Sequence, residues 1–126
     1  MRPEPGCGPW TVERFFAGSP DALAVYGEVS RIASSFGDVE VRASKSQVAF
    51  RRRRGFAYLW LPGMYLRSAV AVVLSLALPF ESASPRFKEI AHPSPSIWMH
   101  HIEITDASQV DAAVAGWMRQ AYDFAA

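Results

Sequence analysis

Two alternating runs joined by four consecutive arginines, residues 45–61 (KSQVAFRRRRGFAYLWL), constrain this chain more than any other stretch, because an alternation of period two fits strands and not helices. Val48 and Phe50 alternate with Gln47, Ala49 and Arg51, and Phe56, Tyr58 and Trp60 alternate with Ala57, Leu59 and Leu61. A turn over residues 52–55 sets Arg51 opposite Phe56, Ala49 opposite Tyr58 and Gln47 opposite Trp60. Opposed residues share a face of the sheet. One face is then Val48, Phe50, Ala57, Leu59 and Leu61, which is a core face. The other is Gln47, Ala49, Arg51, Phe56, Tyr58 and Trp60, a mixed aromatic and polar platform, and the functional question sits there.

The remaining strands follow from the same logic. Residues 39–42 form a short strand ahead of the hairpin, and residues 98–104 (WMHHIEI) resume the alternation near the end. Residues 70–78 (VAVVLSLAL) are apolar on both faces, which predicts a strand in the interior of the sheet. Pro62 and Gly63 interrupt the chain before it, and residues 64–68 form the connection. Residues 80–97 hold three prolines and several serines and are expected to be a long ordered loop, with one helical turn near residues 86–90.

Helices are predicted at both ends. Thr11 caps a short helix that Gly18 stops, and Ser19 with Pro20 and Asp21 opens a longer one, carrying Leu23, Tyr26, Val29, Ile32, Ala33 and Phe36 as an apolar stripe and ending at Gly37. Asp106 or Ser108 is expected to cap a C-terminal helix whose stripe is Val110, Val114, Trp117, Ala121 and Phe124, with Met118 and Tyr122 beside it. Links of hairpin length allow only antiparallel neighbours. The expected fold is therefore α+β: an antiparallel sheet of about five strands with N- and C-terminal helices packed on one face. The expected organisation is a flexible segment over residues 1–8 and a single domain over residues 9–126.

Composition bounds the function classes. Half of the residues are hydrophobic and a fifth are charged, the balance of a globular domain rather than a disordered one. The one cysteine, Cys7, has no partner in the chain, which favours the reducing cytoplasm. The longest apolar run is too short to span a bilayer as a helix, so no membrane role is expected. The net charge of +1 hides an asymmetry: residues 41–80 contain seven Lys or Arg and no Asp or Glu. The positive end of the molecule should lie at the hairpin tip.

The order of features resembles an uncharacterised bacterial family, the domain of unknown function 5655, some of whose relatives carry the loose label "predicted transport protein". The matching residues are Trp10-Thr11-Val12-Glu13 with Phe16, the lysine-led strand Lys45-Ser46-Gln47-Val48-Ala49-Phe50, His100 in the last strand, Val110-Asp111, and Trp117 with Ala121-Tyr122. The resemblance implies a domain running from Trp10 to near the end and brings no established activity.

Three functional readings follow. The first is a small binding or interaction module that takes a small-molecule or protein partner on the platform face, with Lys45, Arg51, Tyr58, Trp60, His100, His101 and Glu103 as candidate ligand-binding residues. The second is nucleic-acid or anionic-ligand contact through Arg52, Arg53 and Arg54, since arginine offers a planar fork suited to phosphate. A sequence pI near 7.9 argues against a dedicated nucleic-acid domain, which is usually far more basic. The third is an enzyme centred on His100 or His101, the lesser reading, because no nucleophile, phosphate loop or metal-ligand spacing accompanies them. No cofactor is expected. His100 and His101 are adjacent on a strand and so point to opposite faces, His100 to the core and His101 with Glu103 to the platform. Three large aromatics left open would be unusual, so Phe80, Phe87 or Ile97 of the proline-rich stretch is expected to fold over Phe56, Tyr58 and Trp60.

Overall fold

The computed structural model describes residues 10–62 and 70–126. The chain runs α1 (Val12–Phe15), α2 (Pro20–Phe36), β1 (Glu40–Ala43), β2 (Val48–Arg51), β3 (Gly55–Trp60), β4 (Val72–Leu78), β5 (Glu89–Ser94), β6 (Ile97–Ile104), a 3-10 turn at Ala107–Gln109, and α3 (Ala112–Phe124). Every strand pair is antiparallel, and the sheet order is β1-β2-β3-β4-β6-β5. The α+β architecture is as expected, with six strands instead of five. The N-terminal residues 1–8 with Cys7 and the connection at residues 64–68 lie outside the described residues.

The apolar run does occupy the interior of the sheet: all seven residues of β4 are buried, between β3 and β6. Its even-numbered side, Val72, Leu74, Leu76 and Leu78, joins Val48, Phe50, Ala57, Leu59, Ile102 and Ile104 under the two long helices. Each fully buried Val, Leu, Ile or Phe side chain contributes about 1.5 to 3 kcal/mol over leaving it in water, so this layer carries most of the hydrophobic stabilisation. Residues Val25, Val29, Ile32 and Ala33 of α2 and Val114, Met118, Ala121 and Tyr122 of α3 close the layer from above.

Several expectations are corrected. The sixth strand, β5, lies in the stretch read as a loop, and Pro93 obscured it. Proline lacks the N–H that an interior ladder needs, but β5 is the outermost strand, where one side of the backbone needs no partner. Leu23 is 40% exposed, so the buried stripe of α2 starts at Ala22 and Val25. α3 is capped by Asp111, whose carboxylate accepts from the N–H of Val114, while Asp106 caps the 3-10 turn ahead of it. Trp117 is only half-buried, and it packs on Phe87 at 4.5 Å between ring centres instead of filling the core. Gly37, which ends α2 at a φ of 148°, leaves room for the Tyr122 hydroxyl, which donates to the Asp38 carbonyl at 3.3 Å.

The hairpin turn is the most informative departure. Pairing runs Val48 with Leu59, Ala49 with Tyr58 and Phe50 with Ala57, but Arg51 then faces Gly55, because a bulge shifts the register between Phe50 and Arg51. The bulge leaves Phe56 as the extra residue on β3 and frees it from strict alternation. It leaves the platform and is fully buried against Tyr122, edge-on at 5.4 Å.

Among the described residues, no helix is long and apolar enough to cross a membrane.

Candidate functional site

The face of the sheet away from the helices is where the residue just before β2 and the strands β3, β4 and β6 bring Gln47, Tyr58, Trp60, Ser75, Met99 and His101 around a concavity of about 310 Å³. Register explains the grouping: Tyr58 lies opposite Ser75, Ser75 opposite His101, and Ala77 opposite Met99. The proline-rich stretch does not fold over this face. Phe87 turns to the helix side between His100 and Trp117, Phe80 is 39% exposed, and Ile97 lines a smaller hollow beside Tyr58, Arg54 and Phe124. Tyr58 and Trp60 thus remain half-buried walls.

A chain of hydrogen bonds runs along the floor. The indole Nε1 of Trp60 donates to the Ser75 hydroxyl oxygen at 2.8 Å, and that oxygen lies 2.6 Å from Nδ1 of His101. The Trp60 and His101 rings meet edge to face at 5.9 Å. Burial pushes the His101 imidazole below the usual histidine range, against a smaller opposing pull from the Glu89 carboxylate on the neighbouring strand. At neutral pH this side chain is therefore uncharged. The contact superficially resembles a serine–histidine dyad. However, Ser75 is 3% exposed in the middle of a central strand and its oxygen already takes the indole N–H, so it positions the imidazole instead of presenting a nucleophile.

His100 is the opposite case. It is fully buried, its Nε2 accepts from the Ser82 N–H at 2.9 Å, and its Nδ1 donates to the Trp98 carbonyl at 3.0 Å. Both ring nitrogens are committed, and desolvation again lowers its pKa. It ties the segment after β4 to the sheet, on the far side from the concavity.

The other sequence candidates scatter. Lys45 sits exposed in the β1–β2 turn, away from the lining. Glu103, opposite Val73, shares the face but stays at its exposed edge. Arg51 lies 4.0 Å from Glu40, which also holds Arg42 at 3.0 Å. Arg52, Arg53 and Arg54 do not form a free anion cluster. The guanidinium of Arg52 donates to the Tyr122 carbonyl at 3.1 Å and lies over that ring at 4.2 Å, and Arg54 does the same with Phe124, 4.7 Å from its ring centre. The Arg53 backbone N–H meets the Ala125 carbonyl at 3.2 Å. Positive charge at the C-terminal end of α3 complements its dipole and satisfies carbonyls that the helix itself leaves unpaired.

Sequence reasoning missed Ser75 and Met99 as lining residues, and placed Gln47 on the platform face without naming it as a candidate. Ser75 did carry a signal: it is the one polar residue in a run apolar on both faces, and a buried hydroxyl needs a partner. Opposite it across the ladder sits a histidine. Among the described residues, no group of three or more His, Cys, Asp or Glu could hold a metal ion.

A family model described as a domain of unknown function (DUF5655) matches the chain over residues 12–125. No curated protein and no solved structure matches.

Proposed function

We propose that this chain, which belongs to the DUF5655 family, is a small binding module that takes a small-molecule ligand in the concavity on the helix-free face of its sheet. The observation that carries this reading is the hydrogen-bonded row Trp60–Ser75–His101 under a hollow of about 310 Å³, at the lower end of the range for small-molecule sites. Few polar groups converge on a mostly apolar and aromatic lining, which is the usual composition of such sites. A core sheet gains nothing from holding an indole and an imidazole half-open, and their orientation is fixed from below by a buried hydroxyl. The nucleic-acid reading loses its main support, because Arg52 and Arg54 are spent on the end of α3.

A fragment screen followed by amide and side-chain NMR shifts tests the proposal. Perturbations should gather on Gln47, Tyr58, Trp60, Met99 and His101. Hits confined to other surfaces, or a screen in which no fragment moves these residues, would overturn it.

A further inference from the structure

Resting on the binding reading above, we propose that the concavity selects an uncharged ring that offers a hydrogen-bond acceptor, a carbonyl oxygen or a bare ring nitrogen, to the Nε2–H of His101, whose tautomer Ser75 and Trp60 set. The argument begins with the indole, which can only donate. Its N–H therefore occupies a lone pair of the Ser75 oxygen, 2.8 Å away. The hydroxyl keeps its own hydrogen, and among the described residues the acceptor within its reach is Nδ1 of His101 at 2.6 Å. The reverse arrangement, with Nδ1–H donating to the oxygen, would leave the hydroxyl hydrogen of a 3% exposed serine without an acceptor. Nδ1 is thus the acceptor, and the ring proton sits on Nε2. That nitrogen has no protein partner among the described residues, so it is the group available to a ligand, and as an N–H it can only donate.

The walls point to the same class. Trp60 and Tyr58 supply aromatic surfaces and Met99 a polarisable one, all suited to a ring. Gln47 adds an amide that can both donate and accept. None of the described lining residues is an Asp, Glu, Lys or Arg, so an ionic ligand would lose hydration without gaining a charged partner. Charged groups stand outside the lining: Glu89 on β5 and Glu103 on β6 are exposed, Arg54 beside Tyr58 is held by the Phe124 carbonyl, and Glu40, Arg42 and Arg51 are engaged with one another. Two carboxylates on the His101 side disfavour an anion further.

The test uses side-chain ¹⁵N NMR of the three histidines in the whole chain and titrations with four probes: nicotinamide and uracil, which are uncharged rings with acceptors, nicotinate, which adds a carboxylate, and toluene, which has no acceptor. Free His101 should show the Nε2–H signature at neutral pH. Nicotinamide or uracil should bind and shift that resonance, with nicotinate and toluene at least tenfold weaker. His101→Phe keeps a ring and removes the donor, so it should lose at least tenfold for the neutral acceptors while toluene is unchanged. Ser75→Ala should release the tautomer, seen as a gain of the Nδ1–H signature, with a severalfold weaker neutral-acceptor titration; far-UV circular dichroism guards against a misfolded variant. An Nδ1–H tautomer in the wild type, nicotinate binding as tightly as nicotinamide, or binding of neither neutral ring would overturn the ligand class. A fragment screen that still gathers on the concavity in that event would leave the binding reading standing, and one that avoids it would remove both.

Discussion

His100 and His101 are neighbours in β6 and face opposite sides of one sheet, and the difference between them separates the two halves of the molecule. His100 lies under the helices with both ring nitrogens committed to the protein, to the Ser82 N–H and the Trp98 carbonyl. His101 lies on the other face, held at one nitrogen by Ser75 and, among the described residues, without a partner at the other. The same residue type on the same strand thus serves as a structural pin on one side and, in the binding reading proposed above, as a hydrogen-bond donor to a ligand on the other. What separates them is the satisfaction of their polar atoms: a buried group must be fully paired, whereas a group at a concavity can keep one atom for a ligand.

The sharpest way to break this comparison is to truncate one aromatic from each side of β3. Phe56→Ala, which empties a fully buried site against Tyr122, should cost about 3 to 5 kcal/mol in a denaturant titration. Tyr58→Ala, on the half-open side, should cost about 1 kcal/mol or less, close to a surface change. Equal losses would mean that the two faces are equally part of the core.

Next in size is His100→Ala, expected to cost about 2 to 3 kcal/mol at neutral pH, because it empties a fully buried site and leaves the part-buried Ser82 N–H and Trp98 carbonyl without their partner. Its pH dependence carries a sign. Both histidines have folded pKa values below the unfolded value of about 6.5, so the unfolded chain binds more protons on acidification. Stability should be full above about pH 6.5 and should fall as pH drops through the folded values. A melting temperature that rises on acidification from pH 7 to 5, or a His100→Ala variant with the same pH slope as the wild type, would contradict this assignment.

A smaller effect is expected at the hairpin tip. Changing Arg52, Arg53 and Arg54 together to Ser should cost about 1 to 2 kcal/mol, through lost helix-end bonds and ring contacts. Thermal melts at low and high salt would show whether the loss is partly screened. An unchanged or raised stability would return the arginines to the status of a solvated turn.

At the lower end of the same range should come His101→Phe, about 1 kcal/mol below wild type, since the ring is kept but the buried Ser75 hydroxyl loses the Nδ1 that accepts from it. A loss as large as that of His100→Ala would make the two histidines equivalent.

Much of the fold was legible in the chain. The two-sided apolarity of residues 70–78 placed β4 inside the sheet, and the alternation on either side of the arginines gave β2 and β3 with the right pairing at Ala49 and Tyr58. Period and burial are local properties, so local sequence carries them. The opposite facing of His100 and His101 followed from the same period of two.

Tertiary structure decided the rest. A single bulged residue moved Phe56 from the platform to the core, and a strand containing Pro93 was possible because β5 is the edge and Pro93 falls in the register shift between Ala91 and Ser94. The arginines had to meet the end of α3, some 70 residues on, before they became caps instead of a free charge cluster. Ser75 and His101, 26 residues apart, became partners only when β4 and β6 aligned in register. Sequence fixes the face on which a strand residue lies through backbone geometry, but the partner that satisfies a polar atom is set by which strands and helix ends the fold brings together.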